Sequence, residues 1–182
     1  MNFKLIETNR MLLKGLTPAD MTEIFESNQK TVIKEILGHR SEEDYEKEYN
    51  KYINGYASYN RSFILFLLED KASGKIIGRC GLHNWNKDHW RAEIGYSMED
   101  ESFKQRGLMS EAVEAVIDYG FKQMELNRIE ALVADYNTAS LRLLEKNGFI
   151  REGVMRNHYY VNGVFEDSIV FSLLQEEYKN SR

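Results

Sequence analysis

Apolar positions along the chain switch repeatedly between a period of two and a helical period, which predicts a mixed α/β order with hairpins and no regular βαβ alternation. Arg10 to Leu16 reads as a strand. Thr17-Pro18-Ala19-Asp20 reads as a helix start: Thr17 caps it, Pro18 sits where a missing N–H costs nothing, and Asp20 faces the positive dipole end. From Ser41 to Tyr59 the residues Tyr45, Tyr49, Tyr52, Tyr56 and Tyr59 alternate steps of four and three, which predicts one helix with all five rings on a face packed against a sheet. Phe63 to Leu68 is a continuous apolar run bounded by a turn at Asp70 to Gly74, as expected of a central strand covered on both faces.

Lys75 to Leu82 and Arg91 to Met98 read as the next strands, followed by a loop from Glu99 to Arg106. From Gly107 onward Ala112, Val113, Val116, Ile117, Gly120, Phe121 and Met124 recur at helical spacing. Arg128 to Ala134 is strand-like, and Asn137 to Asn147 reads as a short helix closed by Gly148. Phe149 to Val154, His158 to Val161 and Ser168 to Leu174 read as closing strands, with Asn162-Gly163 as a hairpin turn.

Composition narrows the class. The 182 residues, 42% apolar and 29% charged, suit a single domain over 1–182 with a real core. A formal charge of −5 makes a poor general binder of phosphate backbones, so no nucleic-acid partner is expected. One cysteine, Cys80, forms no internal disulfide, and with four histidines it supplies no repeated zinc pattern, so no metal is expected. Charge at Glu7 and Arg10 interrupts any leader-type run, and no stretch approaches the roughly 18 apolar residues of a membrane span, so a cytoplasmic protein is expected.

Candidate chemistry lies at Lys104-Gln105-Arg106-Gly107-Leu108-Met109-Ser110, where a strand leads through a loop into a helix and unpaired backbone N–H groups converge at the positive dipole end. That geometry binds phosphate. The loop lacks the Gly-Lys-Ser/Thr of a P-loop and the glycine spacing of a dinucleotide site. Taken with Ala92-Glu93-Ile94-Gly95-Tyr96, Arg106-Gly107-Leu108-Met109-Ser110-Glu111-Ala112, the run from Asn137 to Phe149 and Glu152-Gly153, it resembles the GNAT N-acetyltransferases. The opening Thr8-Asn9-Arg10-Met11-Leu12-Leu13 resembles their RimJ/RimL-like branch.

The resemblance implies a GNAT fold: a twisted, mostly antiparallel sheet, flanked by helices, whose two central parallel strands splay apart around acetyl-CoA as co-substrate. Those strands would be Arg91 to Met98 and Arg128 to Ala134. Main-chain groups of Gln105, Arg106, Gly107, Leu108, Met109 and Ser110 would hold the pyrophosphate. Lys104 and Met109 depart from the family's loop pattern, and Met109 must point away from the ligand. Asn137, otherwise a plain helix cap, would contact the pantetheine arm; Ser140 would face the thioester; Met98 and Leu144 complete the expected acetyl-CoA set.

Alternation places Glu93, Gly95 and Ser97 on one strand face, so a carboxylate projects beside the cleft, and it also matches the glutamate that serves as base in histone-acetylating relatives. The plain structural reading pairs Glu93 with Arg79 or Arg91. His83, His89 and His158 are the other base candidates, each also readable as an exposed loop or strand-end residue. Where many relatives carry an acidic tyrosine this chain has Leu143 and Leu144, which leaves proton donation to Ser140, to a residue such as Tyr160, or to water. Trp85 and Trp90 read as a packing lid or substrate wall, and Asp167 as a salt-bridge partner.

The expected function is acetyl transfer to a primary amine, foremost the N-terminal α-amine of a protein such as a ribosomal protein. The alternatives are a small-molecule amine, such as a polyamine or aminoglycoside, and a CoA-binding sensor without turnover. Glu42, Glu43, Asp44, Glu46 and Glu48 read either as a solvated helix start or as a wall over a cationic substrate. A homodimer is left open.

Overall fold

A computed structural model describes residues 3–56 and 61–180. Its sheet has eight strands: β1 (Lys4–Glu7), β2 (Met11–Leu16), β3 (Ser62–Asp70), β4 (Ile76–Asn86), β5 (Arg91–Met98), β6 (Arg128–Val133), β7 (Ile150–Val161) and β8 (Val164–Leu174). They lie in the order β1-β2-β3-β4-β5-β6-β8-β7. Each pairing is antiparallel except that of β5 with β6. The parallel pair is hydrogen-bonded only over Arg91↔Arg128, Ala92↔Ile129 and Glu93↔Glu130. Beyond Glu93 the two strands part, β5 continuing against β4 as far as Met98 and β6 against β8 as far as Val133. The expected splay is present, on the expected strands.

Helices α1 (Pro18–Ser27), α2 (Lys30–Leu37) and α3 (Glu42–Ile53) precede β3; α4 (Leu108–Lys122), α5 (Thr138–Lys146) and α6 (Gln175–Asn180) follow β5, β6 and β8. Local chemistry starts the first of them as read: the Thr17 hydroxyl accepts from Asp20 N–H while the Asp20 carboxylate accepts from Thr17 N–H. Ser41 and Asp44 repeat that box at α3. The long apolar run of β3 is explained by burial on two faces. Ile64, Phe66 and Leu68 join the cluster that holds α4, while Leu67 joins the one under α1 to α3. Each such side chain stabilises the fold by about 1.5–3 kcal/mol.

Several expectations need correction. The tyrosine helix ends at Ile53, so Tyr56 lies past it, and Tyr59 lies outside the described residues. Its rings meet α1 ahead of the sheet, Phe25 stacking on Tyr52 at 4.8 Å. The sequence pattern missed the short edge strand β1 and the helix α2, although α2 buries Ile33 and Leu37 on one face and is closed by Gly38 in a left-handed cap. The two predicted closing strands before Asn162 form one strand, β7, with a register shift between Met155 and Tyr159. Asp167 serves that irregularity: its carboxylate accepts from Asn157 N–H at 2.8 Å, in place of the expected salt bridge.

Candidate active site

The loop before α4 has the form an anion site requires. Gln105 (φ 59°) and Gly107 (φ 76°) are both left-handed, which curls the chain into the helix start. Gly107, the N-cap, has no side chain to accept from the first-turn N–H groups of Leu108, Met109 and Ser110. Leu108 is buried, and Met109 packs partly buried against the main core.

Arg10, in the bend between β1 and β2, holds this loop from far along the chain. Its guanidinium donates to Arg106 O at 2.8 Å and to Glu111 Oε2 at 2.7 Å, and its N–H donates to Glu111 Oε1 at 2.8 Å. Burial raises the Glu111 pKa, but the Thr8 hydroxyl and the Arg10 contacts outweigh it and hold that carboxyl below its ordinary range. The Thr-x-Arg element therefore has a mechanical role that its sequence did not disclose.

Where β5 and β6 part, a cavity of about 300 Å³ is lined by Glu93 to Tyr96, Ala131 to Ala134, Asn137, Ser140, His83 and Tyr159. Asn137 caps α5, its Oδ1 accepting from Ser140 N–H at 3.2 Å. Leu144 is fully buried in the core and Met98 packs partly buried against it; neither lines this cavity. Glu93 does not pair with Arg79 or Arg91. Arg79 pairs with Glu99 at 2.8 Å and Glu48 at 3.5 Å, while Arg91 pairs with Glu130 at 2.8 Å.

The partners of Glu93 are His83, Nε2 to Oε1 at 3.2 Å, and Asn84, whose Nδ2 donates to Oε2 at 3.0 Å. His83 is therefore a β4 residue bound to the carboxylate. Burial raises the Glu93 pKa, but the bonds from His83 and Asn84 and the charges of His83 and His158 prevail, and the group stays ionised below its ordinary range. His158 is fixed by Ser168 at 3.1 Å. Tyr160 packs at a tilt against Phe165 and is exposed, outside the lining of the cavity, whereas Tyr159 lines it. Trp85 packs partly buried on the core and Trp90 is exposed.

A second cavity, about 700 Å³, lies between the C-terminal half of α3 and the faces of β3, β4 and β5, and shares His83, Gly95 and Tyr96 with the first. Gly95 keeps the junction open: a Cβ there would stand 2.9 Å from the His83 ring. Among the described residues that line it, the only acid is Glu48, buried and paired with Lys51 and Arg79. Glu42 and Glu46 are turned to Lys30 and Lys34, and Glu43 to Lys47.

A sheet opened between two parallel strands, with a cavity in the opening, a second cavity that shares His83, Gly95 and Tyr96 with it, and an uncapped helix start after β5, is the architecture of a group transferase. Residues 10–150 match the family model described as the acetyltransferase (GNAT) domain, and the chain belongs to that family. It is 34% identical over 174 residues to the uncharacterized N-acetyltransferase YoaA of Bacillus subtilis, covering 95% of this chain and 98% of that protein. The putative ribosomal N-acetyltransferase YdaF of Bacillus subtilis is 36% identical over 109 residues, 60% of this chain and 59% of its own. A spermidine N(1)-acetyltransferase of Vibrio cholerae is 28% identical, covering 94% and 97%. The crystal structure of a GNAT-family acetyltransferase from Bacillus anthracis superimposes with a TM-score of 0.67 at 26% identity, covering 95% of this chain and 99% of that one. The chain is an N-acetyltransferase, and the family's co-substrate is acetyl-CoA.

Proposed function

We propose that the protein transfers the acetyl group of acetyl-CoA to the N-terminal α-amine of a polypeptide, for instance of a ribosomal protein. The observation that carries this reading is the charge of the larger cavity. Its one carboxylate, Glu48, faces two cations, Lys51 and Arg79, and the acids at the start of α3 are engaged by lysines on the surface. A polyamine with several positive charges finds no matching acids there. A single amine beside an apolar side chain does find a fit, with Glu93 and His83 at the junction and Phe63, Ile64 and Leu65 along the wall.

The residues divide the work as follows. The N–H groups from Gln105 to Ser110 bind the donor's pyrophosphate, and Asn137 and the separated edges of β5 and β6 hold its arm. Acetyl-CoA supplies the activated acyl group. The lowered pKa keeps Glu93 ionised near neutral pH, so it can position the amine and take up its proton, directly or through His83 bound beside it. Little more is needed for an α-amine. At pH 7 its deprotonation costs about 1 kcal/mol, against about 4.6 kcal/mol for a lysine-type amine. Thiol release in a panel of N-terminal peptides, lysine peptides and spermidine tests the proposal: the free α-amines should be the fastest acceptors, and a preference for spermidine would refute it.

A further inference from the structure

We propose that Tyr96, with Ser140, delivers the proton to the departing CoA sulfur, the task left vacant where Leu143 and Leu144 stand in place of an acidic tyrosine. This rests on the acetyl-transfer reading above but not on which amine accepts.

Tyr96 follows the last parallel pair by three residues, so it sits on β5 where the strands have already parted, and it lines both cavities. Its hydroxyl oxygen is buried and finds no hydrogen-bond partner among the described residues. A buried hydroxyl without a partner is costly and is seldom retained without a use. Ser140, also in the lining, lies near enough to pull the Tyr96 pKa downward. Ser140 stands in the first turn of α5, with its N–H already taken by Asn137. Tyr96 and Ser140 thus line the same cavity, where the strands part.

The other tyrosines fit less well. Tyr160 is exposed and packs at a tilt against Phe165, outside the lining. Tyr159 is half exposed and feels the charge of Glu93, which places it on the amine side. Burial raises the Tyr96 pKa, with Ser140 pulling the other way; the net is upward, so the group remains a protonated donor near neutral pH.

The step balances. The amine nitrogen pair forms the N–C bond, the C–S bond breaks with its electrons on sulfur, and the Tyr96 O–H proton moves to sulfur. The nitrogen sheds one proton, which returns to the Tyr96 oxygen through the Ser140 hydroxyl or a water. Free thiol and amide leave, and both side chains are restored.

The test is Tyr96→Phe, with Ser140→Ala beside it, assayed on whichever amine the enzyme uses best. Tyr96→Phe should lower kcat about 100-fold, in the usual range for a lost general acid. Its CoA dissociation constant should stay within twofold, and its Tm should hold or rise, because an unsatisfied buried hydroxyl has been removed. Ser140→Ala should lower kcat less. A structural role would lower Tm and CoA affinity together. A kcat within threefold of the parent, or losses of Tm and kcat in step, would overturn the inference. Turnover on spermidine alone would sink the peptide reading while leaving this test intact, and no turnover on any amine would sink both.

Discussion

Removing the Arg10 side chain should loosen the donor site without touching a reacting group. The loop it holds is under strain, because Gln105, a residue with a Cβ, is left-handed at φ 59°. Two side-chain bonds oppose relaxation, to Arg106 O at 2.8 Å and Glu111 Oε2 at 2.7 Å. The Arg10 side chain is 48% exposed, so the pair of contacts is worth about 1–2 kcal/mol, not the larger sum expected in a dry interior. If Arg10→Ala lets the loop relax, the binding-competent population falls by about 5–30-fold, and the apparent acetyl-CoA dissociation constant rises by the same factor. Calorimetric titration with CoA should show that loss, and initial rates should show a raised acetyl-CoA KM with kcat and acceptor KM nearly unchanged. Arg10→Lys keeps the charge but not the fork, so it should fall between. Unchanged CoA affinity in a folded Arg10→Ala variant would refute the clamp.

Glu93→Gln should lower kcat about 10–100-fold at pH 6.5 with acetyl-CoA affinity unchanged, and the defect should shrink by pH 8.5. The sign follows from the lowered pKa: Glu93 is ionised across that whole range, so the acid limb of the rate belongs to the amine, more of which is neutral as pH rises. Full activity of the variant at pH 6.5 would assign the role elsewhere. Replacing Glu42, Glu43 and Glu46 with Gln removes exposed pairs to Lys30, Lys34 and Lys47, so stability should change by about 1 kcal/mol or less and acceptor KM should stay constant. A large rise in KM for spermidine would contradict the reading of α3 as a solvated helix start.

What the sequence disclosed was chemistry that acts over a few residues. The Thr17 to Asp20 box, the Asn162-Gly163 turn and the Asn137 cap are each complete within four positions, so their residue types suffice to place them. Strand period likewise placed Glu93 beside the cleft, since alternation is a local property. The misses share the opposite character. Arg10 meets Glu111 across a separation of 101 residues. The His83 and Glu93 pair depends on the register of β4 against β5, which shifts between His83 and Asn86, and no spacing within either strand announces it. Tyr96 and Ser140 meet only because β5 and β6 part at Glu93. Helix α2 lacks a capping side-chain bond at Gln29, but its apolar face at Ile33 and Leu37 and its Gly38 cap are local and were legible.

The most direct measurement is a competition in one reaction: acetyl-CoA with equal amounts of spermidine and a peptide that carries both a free N-terminus and an internal lysine. Mass spectrometry then locates the acetyl group. The cavity charge around Glu48, Lys51 and Arg79 predicts product on the peptide's α-amine, with the lysine and spermidine largely unmodified. Acetylspermidine as the main product, with the peptide untouched, would contradict it.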